Sequence, residues 1–251
     1  MSGRAPGGAL VTGAAQGLGA RIAAALHRAG HSVAVTDVDA DAAAATARAI
    51  SPDGARITTF GLDVTRKGDF EAGLARTIDA FGGVDVLVNN AAMTPTTPVM
   101  EITAEEFDRV IAINQRGTFF GCQVFGAHFA AQKYGRIVNM ASLAGQNGGT
   151  ASGAHYASSK GAILVLTKIF ARQLAGEGVT VNAVAPGPMD LPSVRAAVPP
   201  EKLEQIVQGM IPVKALGDPD FVAETVVRLA SSEAAFVTGA AWDLNGGIFM
   251  R

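Results

Sequence analysis

Ala9-Leu10-Val11-Thr12-Gly13-Ala14-Ala15-Gln16-Gly17-Leu18-Gly19 is the stretch that decides the architecture. A short apolar run ends in a glycine-rich turn, which passes at once into the helix-compatible segment Ala20 to Ala29, closed by Gly30. A turn of this kind between a strand and a helix lets backbone N–H groups approach a pyrophosphate, and the helix dipole favours the negative charge. Three glycines in one turn carry little weight in a chain that contains 30 of them. Context strengthens the reading, because Ser32-Val33-Ala34-Val35-Thr36 is a second strand and ends at Asp37, 18 residues beyond Gly19. A carboxylate at that place accepts hydrogen bonds from both ribose hydroxyls of NAD and repels the 2′-phosphate of NADP. No Arg or Lys among Ala14, Ala15 and Gln16 reverses that preference.

Outward from this unit, short β-branched runs alternate with helical patterns, the signature of βαβ units and a parallel sheet. Ala40 to Ile50 reads as a helix ended by the turn cluster Ser51-Pro52-Asp53-Gly54, and Ile57 to Leu62 as a third strand ending at Asp63-Val64. Asp63 stands open between a cap-like turn residue and an adenine contact. Val84 to Val88 is the clearest buried strand, and it runs into Asn89-Asn90-Ala91-Ala92, where small residues let a ligand approach the backbone. After the loop Met93 to Met100, Thr103-Ala104-Glu105-Glu106 has the form of a capped helix start. Asn114 falls within that helix beside Val110, Ile111 and Ile113, where propensity disfavours it. It either bonds a neighbouring carbonyl or holds a water for chemistry. Val179 to Val184 is a sixth strand, ended by Pro186-Gly187-Pro188. Prolines then break residues Met189 to Pro219 into short pieces such as Glu201 to Met210, which suits a mobile lid. Phe221 to Ser231 and Ala241 to Leu244 supply a last helix and strand.

Composition narrows the partners. With 251 residues, 49% of them hydrophobic, the chain can bury one large core and reads as a single α/β domain over 1–251. A formal charge of -2, with Lys and Arg scattered, gives no footprint for nucleic acid or an anionic membrane, which leaves small molecules and copies of the same chain. Met1 to Gly8 has no apolar targeting core and no later stretch is long and apolar enough to span a bilayer, so a cytoplasmic protein is expected. Cys122, the only cysteine, lies beside Phe119, Phe120 and Val124 and reads as a small core residue. His27, His31 and His128 are scattered and suggest no metal site.

Tyr156-Ala157-Ser158-Ser159-Lys160 is the candidate chemistry. On a helix, Tyr156 and Lys160 at i and i+4 project from one face. A free phenol, with a pKa near ~10, is a poor base at neutral pH, and an ammonium held close lowers that value. Ser142 follows the run Ile137-Val138, so its hydroxyl is expected at a strand's end, where open α/β sheets bind ligands. By spacing alone, a chance surface pair and a catalytic pair remain open. Ile163-Leu164-Val165-Leu166 is apolar all round, so its helix is expected to be buried on one side by the sheet and on the other by a partner subunit. Phe119, Phe120, Phe125 and Phe129 are expected at that same interface, with the monomer's own core as the alternative.

Together, Thr12-Gly13-x-x-x-Gly17-x-Gly19, Asp63, Asn89-Asn90-Ala91, Asn114, Ser142, Tyr156-x-x-x-Lys160 and Pro186-Gly187 resemble the short-chain dehydrogenase/reductase family, from Leu10 to Phe249. The resemblance implies a single-domain Rossmann fold, a doubly wound seven-stranded parallel sheet with helices on both faces. It divides into a dinucleotide-binding half over about 9–115 and a catalytic half over about 116–251, with the lid at about 189–219. It implies Tyr156 as acid/base, Ser142 orienting the substrate oxygen, Lys160 on the nicotinamide ribose, and Asn114 positioning a water in a proton relay. The NAD site would comprise Gly13, Gln16, Gly17, Leu18, Gly19, Asp37, Val38, Asp63, Val64, Asn90, Ala91, Ala92, Tyr156, Lys160, Pro186, Gly187 and Met189. For the substrate wall, the candidates are Met93, Thr94, Ser142, Leu143, Gln146, Asn147, His155, Met189 and Met210, with a structural role as the alternative for His155. Two positions depart from the family's pattern: Ala92 stands where Gly is usual, and Asp190-Leu191 where a Thr commonly bonds the nicotinamide carboxamide. The activity implied is NAD-dependent interconversion of a secondary alcohol and a ketone by a homotetramer. A 3-oxoacyl carrier-protein or CoA-ester reductase and a non-catalytic cofactor-binding regulator are the alternatives.

Overall fold

Strands form where apolar runs are short and β-branched, because residues alternating to opposite faces of a sheet covered on both sides must all be apolar. The computed structural model describes residues 5–149 and 153–250. In chain order it contains β1 (Gly8–Thr12), α1 (Gly17–Arg28), β2 (Ser32–Asp37), α2 (Ala40–Ile50), β3 (Ile57–Gly61), α3 (Lys67–Phe81) and β4 (Val86–Asn89). There follow α4 (Ala104–Val110), α5 (Gly117–Ala131), β5 (Gly135–Met140), α6 (Ala144–Asn147), α7 (Ala154–Leu174), β6 (Val179–Pro186), α8 (Pro192–Ala197), α9 (Pro200–Met210), α10 (Pro219–Ala230) and β7 (Ala241–Leu244). All seven strands are parallel, in the order β3-β2-β1-β4-β5-β6-β7. This is the Rossmann arrangement, and strand order reverses between β1 and β4, which opens a crevice at their carboxyl ends.

Alternation divides the core in two. Ala9, Val11, Val33, Val35, Val86 and Val88 turn to one face, where Ile22 and Leu26 of α1 and Val222, Val226 and Leu229 of α10 cover them. Leu10, Leu87, Ile137 and Val181 turn to the other, against Phe70 of α3, Cys122, Phe125 and Phe129 of α5, and Leu174 of α7. Among the described residues no helix is long and apolar enough to cross a membrane.

Phe125 and Phe129, expected at a subunit interface, are fully buried in the monomer, because Gly135 on β5 leaves room for the Phe129 ring against the strand. Phe119 and Phe120 are half-buried, and Phe119 stacks on Phe170 with ring centroids 5.8 Å apart. In the Ile163–Leu166 run, Ile163 enters the core, whereas Val165 is 56% exposed, as Ile169 is at 53% one turn later. The helix around Asn114 runs from Ala104 to Ala131 without a break in helical backbone, but its winding changes: Ile111–Arg116 is a π-helix between α4 and α5. The proline-broken segment after Met189 folds as α8 and α9, the second of which is the helical piece expected over Glu201 to Met210, and its base is tied by Met189 bridging Gly217. The prolines that break the periodicity start these helices at their first turn, where a missing N–H costs nothing.

Phe129→Ala should therefore lower the unfolding free energy by about 3–5 kcal/mol, whereas Val165→Ala should change it by less than about 0.5 kcal/mol. Urea unfolding of both variants checks this; a loss at Phe129 no larger than at Val165 would place the ring outside the monomer core.

Candidate active site

The crevice is a cleft of about 1040 Å³. Its floor is the turn between β1 and α1, where each glycine has its own reason. Gly13, at φ +63, lies against Ala91, where a Cβ would stand 2.6 Å from Ala91 Cα. Gly19 packs on the Gly13 carbonyl, leaving no room for a side chain. Gly17, at φ +59, has nothing within 4 Å of its Cβ position and so keeps the cleft open. Gln16 caps α1 without a side-chain hydrogen bond, which leaves the first N–H groups of that helix for a ligand. Thr12 locks the turn to β4: its Oγ1 donates to Val88 O (3.3 Å) and accepts from Asn90 N (3.0 Å) and Ala91 N (3.1 Å). The Asn90 amide returns two bonds, to Thr12 O and Gly13 O.

Gly13, Gln16, Gly17, Leu18, Gly19, Asp37, Val38, Asp63, Val64, Asn90, Ala91 and Ala92 all line this one cleft, with Met93 and Thr94 beside them. Asp37 ends β2 with its carboxylate accepting the N–H groups of Ala15 (3.1 Å) and Asp39 (3.2 Å), so it also holds the glycine turn in place. Asp63 is both things left open for it: its Oδ1 accepts from Thr65 N and Thr65 Oγ1 in a tight turn, and it faces the cleft. Pro186, Gly187 and Met189 do not line it. Pro186 O and Gly187 N are engaged with Leu143 and Leu244, and the Met189 side chain packs on the core. Leu191 and Pro192 reach the cleft instead. Arg109, Ala112 and Ile113 also line it and were missed, although their spacing before Asn114 on one helical face was the available signal.

The chemistry-bearing groups converge beside Thr94. The Tyr156 hydroxyl meets the side chains of Ser142 and Thr94. Burial pushes the phenol above its ordinary value, and the bonds from Ser142 and Thr94 pull it back in part. Lys160 donates to Met140 O at 2.6 Å, and its Nζ lies 5.7 Å from the Tyr156 ring centroid. The expected lowering of the phenol by this ammonium is not what this geometry gives: desolvation governs the phenol, and it also holds Lys160 down at about 8. Asn114 is fully buried, its Oδ1 accepting from Met93 N (2.8 Å) and its Nδ2 donating to Met93 O (3.0 Å) and Ser159 Oγ (3.0 Å). Its side chain thus clamps the loop after β4 to α7, and its own carbonyl accepts the Thr118 hydroxyl. The π-helix explains an Asn in an apolar helix, since the extra residue in the turn aims its amide at those partners.

Among the substrate-wall candidates, Leu143 is buried beneath Ser142, Gln146 donates to Asp243, Asn147 holds its own turn at Gly149, and Met210 is exposed at the end of α9. His155 is not a wall residue: it is fully buried and bonded to Glu106. Burial pushes the Cys122 thiol up to about 12, which leaves it unreactive at neutral pH. Among the described residues no group of three or more His, Cys, Asp or Glu side chains is placed to hold a metal ion.

Comparison with known proteins agrees with this fold. A family model described as enoyl-(acyl carrier protein) reductase matches residues 13–248. The chain is 39% identical over 247 residues to 2-(R)-hydroxypropyl-CoM dehydrogenase of Xanthobacter autotrophicus, covering 95% of this chain and 96% of that one. It is 35% identical over 243 residues to the 3-oxoacyl-[acyl-carrier-protein] reductase FabG of Staphylococcus epidermidis, covering 96% and 98%. A crystal structure from Sinorhizobium meliloti 1021, described as a short-chain alcohol dehydrogenase, superposes with a TM-score of 0.91 at 31% identity, covering 98% and 97%.

Lys160 yields a prediction free of any ligand. Its folded value of about 8 lies below the ordinary 10.5, so the folded protein holds this proton less tightly than the unfolded chain does. The cost is carried in full below about pH 8; above it stability rises with pH until the lysine is neutral in both states, a span of about 3 kcal/mol. Relative to Lys160→Met, the parent should thus gain unfolding free energy between about pH 7 and about pH 9.5. Parallel urea titrations read the difference, and a difference flat in pH would show that burial does not penalise this ammonium.

Proposed function

The chain belongs to the short-chain dehydrogenase/reductase family of oxidoreductases, and from that premise we propose that it interconverts a secondary alcohol and a ketone, with NAD as hydride carrier and Tyr156 as acid and base. The observation that carries this is the half-buried Tyr156, whose hydroxyl meets Ser142 and Thr94 at the edge of the glycine-floored cleft. A dinucleotide fits that cleft, because Gly17 leaves the floor open and the first N–H groups of α1 lack a side-chain cap. In this reading the Gly13–Gly19 turn holds the pyrophosphate, Asp37 the adenine ribose, Asp63 and Val64 the adenine, and Lys160 the second ribose. The bound nicotinamide supplies the hydride donor or acceptor. The protein's own part is positional and protonic. Ser142 and Tyr156 hold the substrate oxygen, and Tyr156 gives its proton in reduction or takes one as phenolate in oxidation. A phenol, with an ordinary pKa near ~10 that burial raises further, carries its proton at neutral pH, so reduction finds its acid ready, while oxidation must be favoured by rising pH.

A thioester substrate is the second reading, favoured by the family model and by the similarity to a carrier-protein reductase. Asp37 weighs against the NADPH that such chemistry commonly uses, since it would face a phosphate with roughly two negative charges. Losing two ribose hydrogen bonds and adding like-charge repulsion costs on the order of 3 kcal/mol, about a hundredfold in affinity.

A panel of secondary alcohols and a 3-oxoacyl thioester, each with NAD and NADP, separates the readings. NAD with an alcohol or ketone should give kcat/KM about a hundredfold above NADP, Asp37→Ser should shrink that ratio, and Tyr156→Phe should remove turnover while cofactor affinity stays within about threefold. Activity of Tyr156→Phe within about tenfold of the parent would remove the phenol from the proton path.

We further propose a homotetramer, supported by the exposed Val165 and Ile169 on α7 and by Trp242 on the edge strand β7. Light scattering at micromolar concentration should give four times the chain mass of 25.6 kDa, and Val165→Lys together with Ile169→Lys should lower it. A monomeric parent would overturn the assembly.

A further inference from the structure

From the first turn of α7 a chain of side chains, buried at His155 and partly buried at Glu106 and Thr97, runs out along a line that the proton path does not use. His155 is fully buried, with Cε1 and Nδ1 of its ring against Gly153, where any Cβ would collide with them. Its Nδ1 accepts the Tyr156 N–H at 3.1 Å, so the ring hydrogen resides on Nε2 and is donated to Glu106 Oε1, also at 3.1 Å. The same Oε1 accepts the Thr97 hydroxyl at 2.7 Å.

Each link departs from what its position would do by default. Gly153 caps α7 without a side chain, and the His155 ring takes over one of the N–H groups that the helix start leaves unpaired. Glu106, the third residue of α4, has its own N–H held by Thr103 as in a capping box. Its carboxylate nevertheless turns away from that cap toward Thr97 and His155. Those two bonds, Thr97 first, hold it below the ordinary carboxyl range, so it is an ionised acceptor.

The loop after β4 is thereby tied at both ends. Asn114 clamps Met93, and Glu106 with His155 clamps Thr97. Gly153 N donates to Pro95 O at 3.0 Å between them. Thr94, inside this span, is the residue that meets the Tyr156 hydroxyl.

We propose that Thr97, Glu106 and His155 form a positioning clamp that fixes the 94–97 loop to the helix carrying Tyr156 and so seats the phenol against Thr94 and Ser142. None of the three touches the reacting oxygen; they act through Tyr156. The consequence for rate rests on the acid/base role proposed above, whereas the clamp itself is read without turnover.

Tyr134 and Tyr156 are the only two tyrosines in the chain. In a Tyr134→Phe background, which keeps the ring beneath Arg136, ultraviolet phenolate absorbance titrates Tyr156 alone. Cutting the clamp admits water, which lowers the titration midpoint, and loosens the Thr94 bond, which raises it; burial is the larger cause, so the midpoint falls on balance, by about one unit. His155→Leu and Glu106→Leu should each produce that fall, and the double variant should add little to either. Gly153→Ala, which displaces the ring without altering its chemistry, should reproduce it, and His155→Gln, which keeps a donor toward Glu106, should restore more than half. Thr97→Val, close in shape to the parent, should give a smaller fall in the same direction and serves if His155→Leu does not fold. With substrate present, kcat should fall about tenfold while KM for NAD stays within about twofold. An unmoved midpoint in His155→Leu and Thr97→Val, additive falls in the double variant, or no rescue by His155→Gln would overturn the clamp. A midpoint that falls as stated while kcat is unchanged sinks the acid/base reading and leaves the clamp standing.

Discussion

Everything at the site depends on one close approach of backbone, where β1 and β4 part. The Thr12 hydroxyl accepts two N–H groups from the Asn90 loop, and the Asn90 amide donates back to two carbonyls of the glycine turn. Four hydrogen bonds cross a gap that Gly13 and Ala91 close by contact, so the two loops behave as one piece. Such a lock satisfies backbone groups that a loop would otherwise have to leave to water. It also explains why the residues there are small: a larger side chain at 13 or 19 would separate the loops that define the cleft.

The second constraint is α7, a helix that is both core and site. His155, Ser159, Lys160 and Thr167 are all buried on it, and a buried polar group is costly unless paired. Three of them are paired within the fold: His155 with Glu106, Ser159 with Asn114 and the Tyr156 carbonyl, and Thr167 with Asn139 and the Ile163 carbonyl. Lys160 is the exception, an ammonium in the core with Met140 O as its recorded acceptor. Burial of a charge on such terms is destabilising, which fits the role proposed for Lys160 one turn from Tyr156 better than a role in stability.

Much of this was legible in the chain. The apolar runs at Leu10, Val35, Val88, Val138 and Val181 became strands of one parallel sheet, as expected, and the residues named for a dinucleotide from Gly13 to Ala92 line one cleft. What misled was periodicity where it reports two things at once. Phe125 and Phe129 were assigned to a partner because a helix apolar all round has no visible outer face; only the packing of Gly135 shows which rings the monomer takes in. The prolines after Met189 broke the helical pattern yet stand at helix starts, where their missing N–H is harmless. His155 and Glu106, 49 positions apart, carry no sign of each other along the sequence.

By itself, the sequence determined the parallel sheet, the glycine turn and the Tyr156–Lys160 pair, since strand alternation, glycine's freedom at positive φ and helical i, i+4 spacing are local properties that the chain carries wherever it folds. The tertiary structure alone decided how those groups are tuned: that desolvation rather than the ammonium sets the Tyr156 phenol, that Asn114 clamps Met93 through a π-turn, and that Leu191 replaces Met189 at the cleft. Burial and hydrogen-bond partners depend on what the rest of the chain brings to a point in space, and that information is not local.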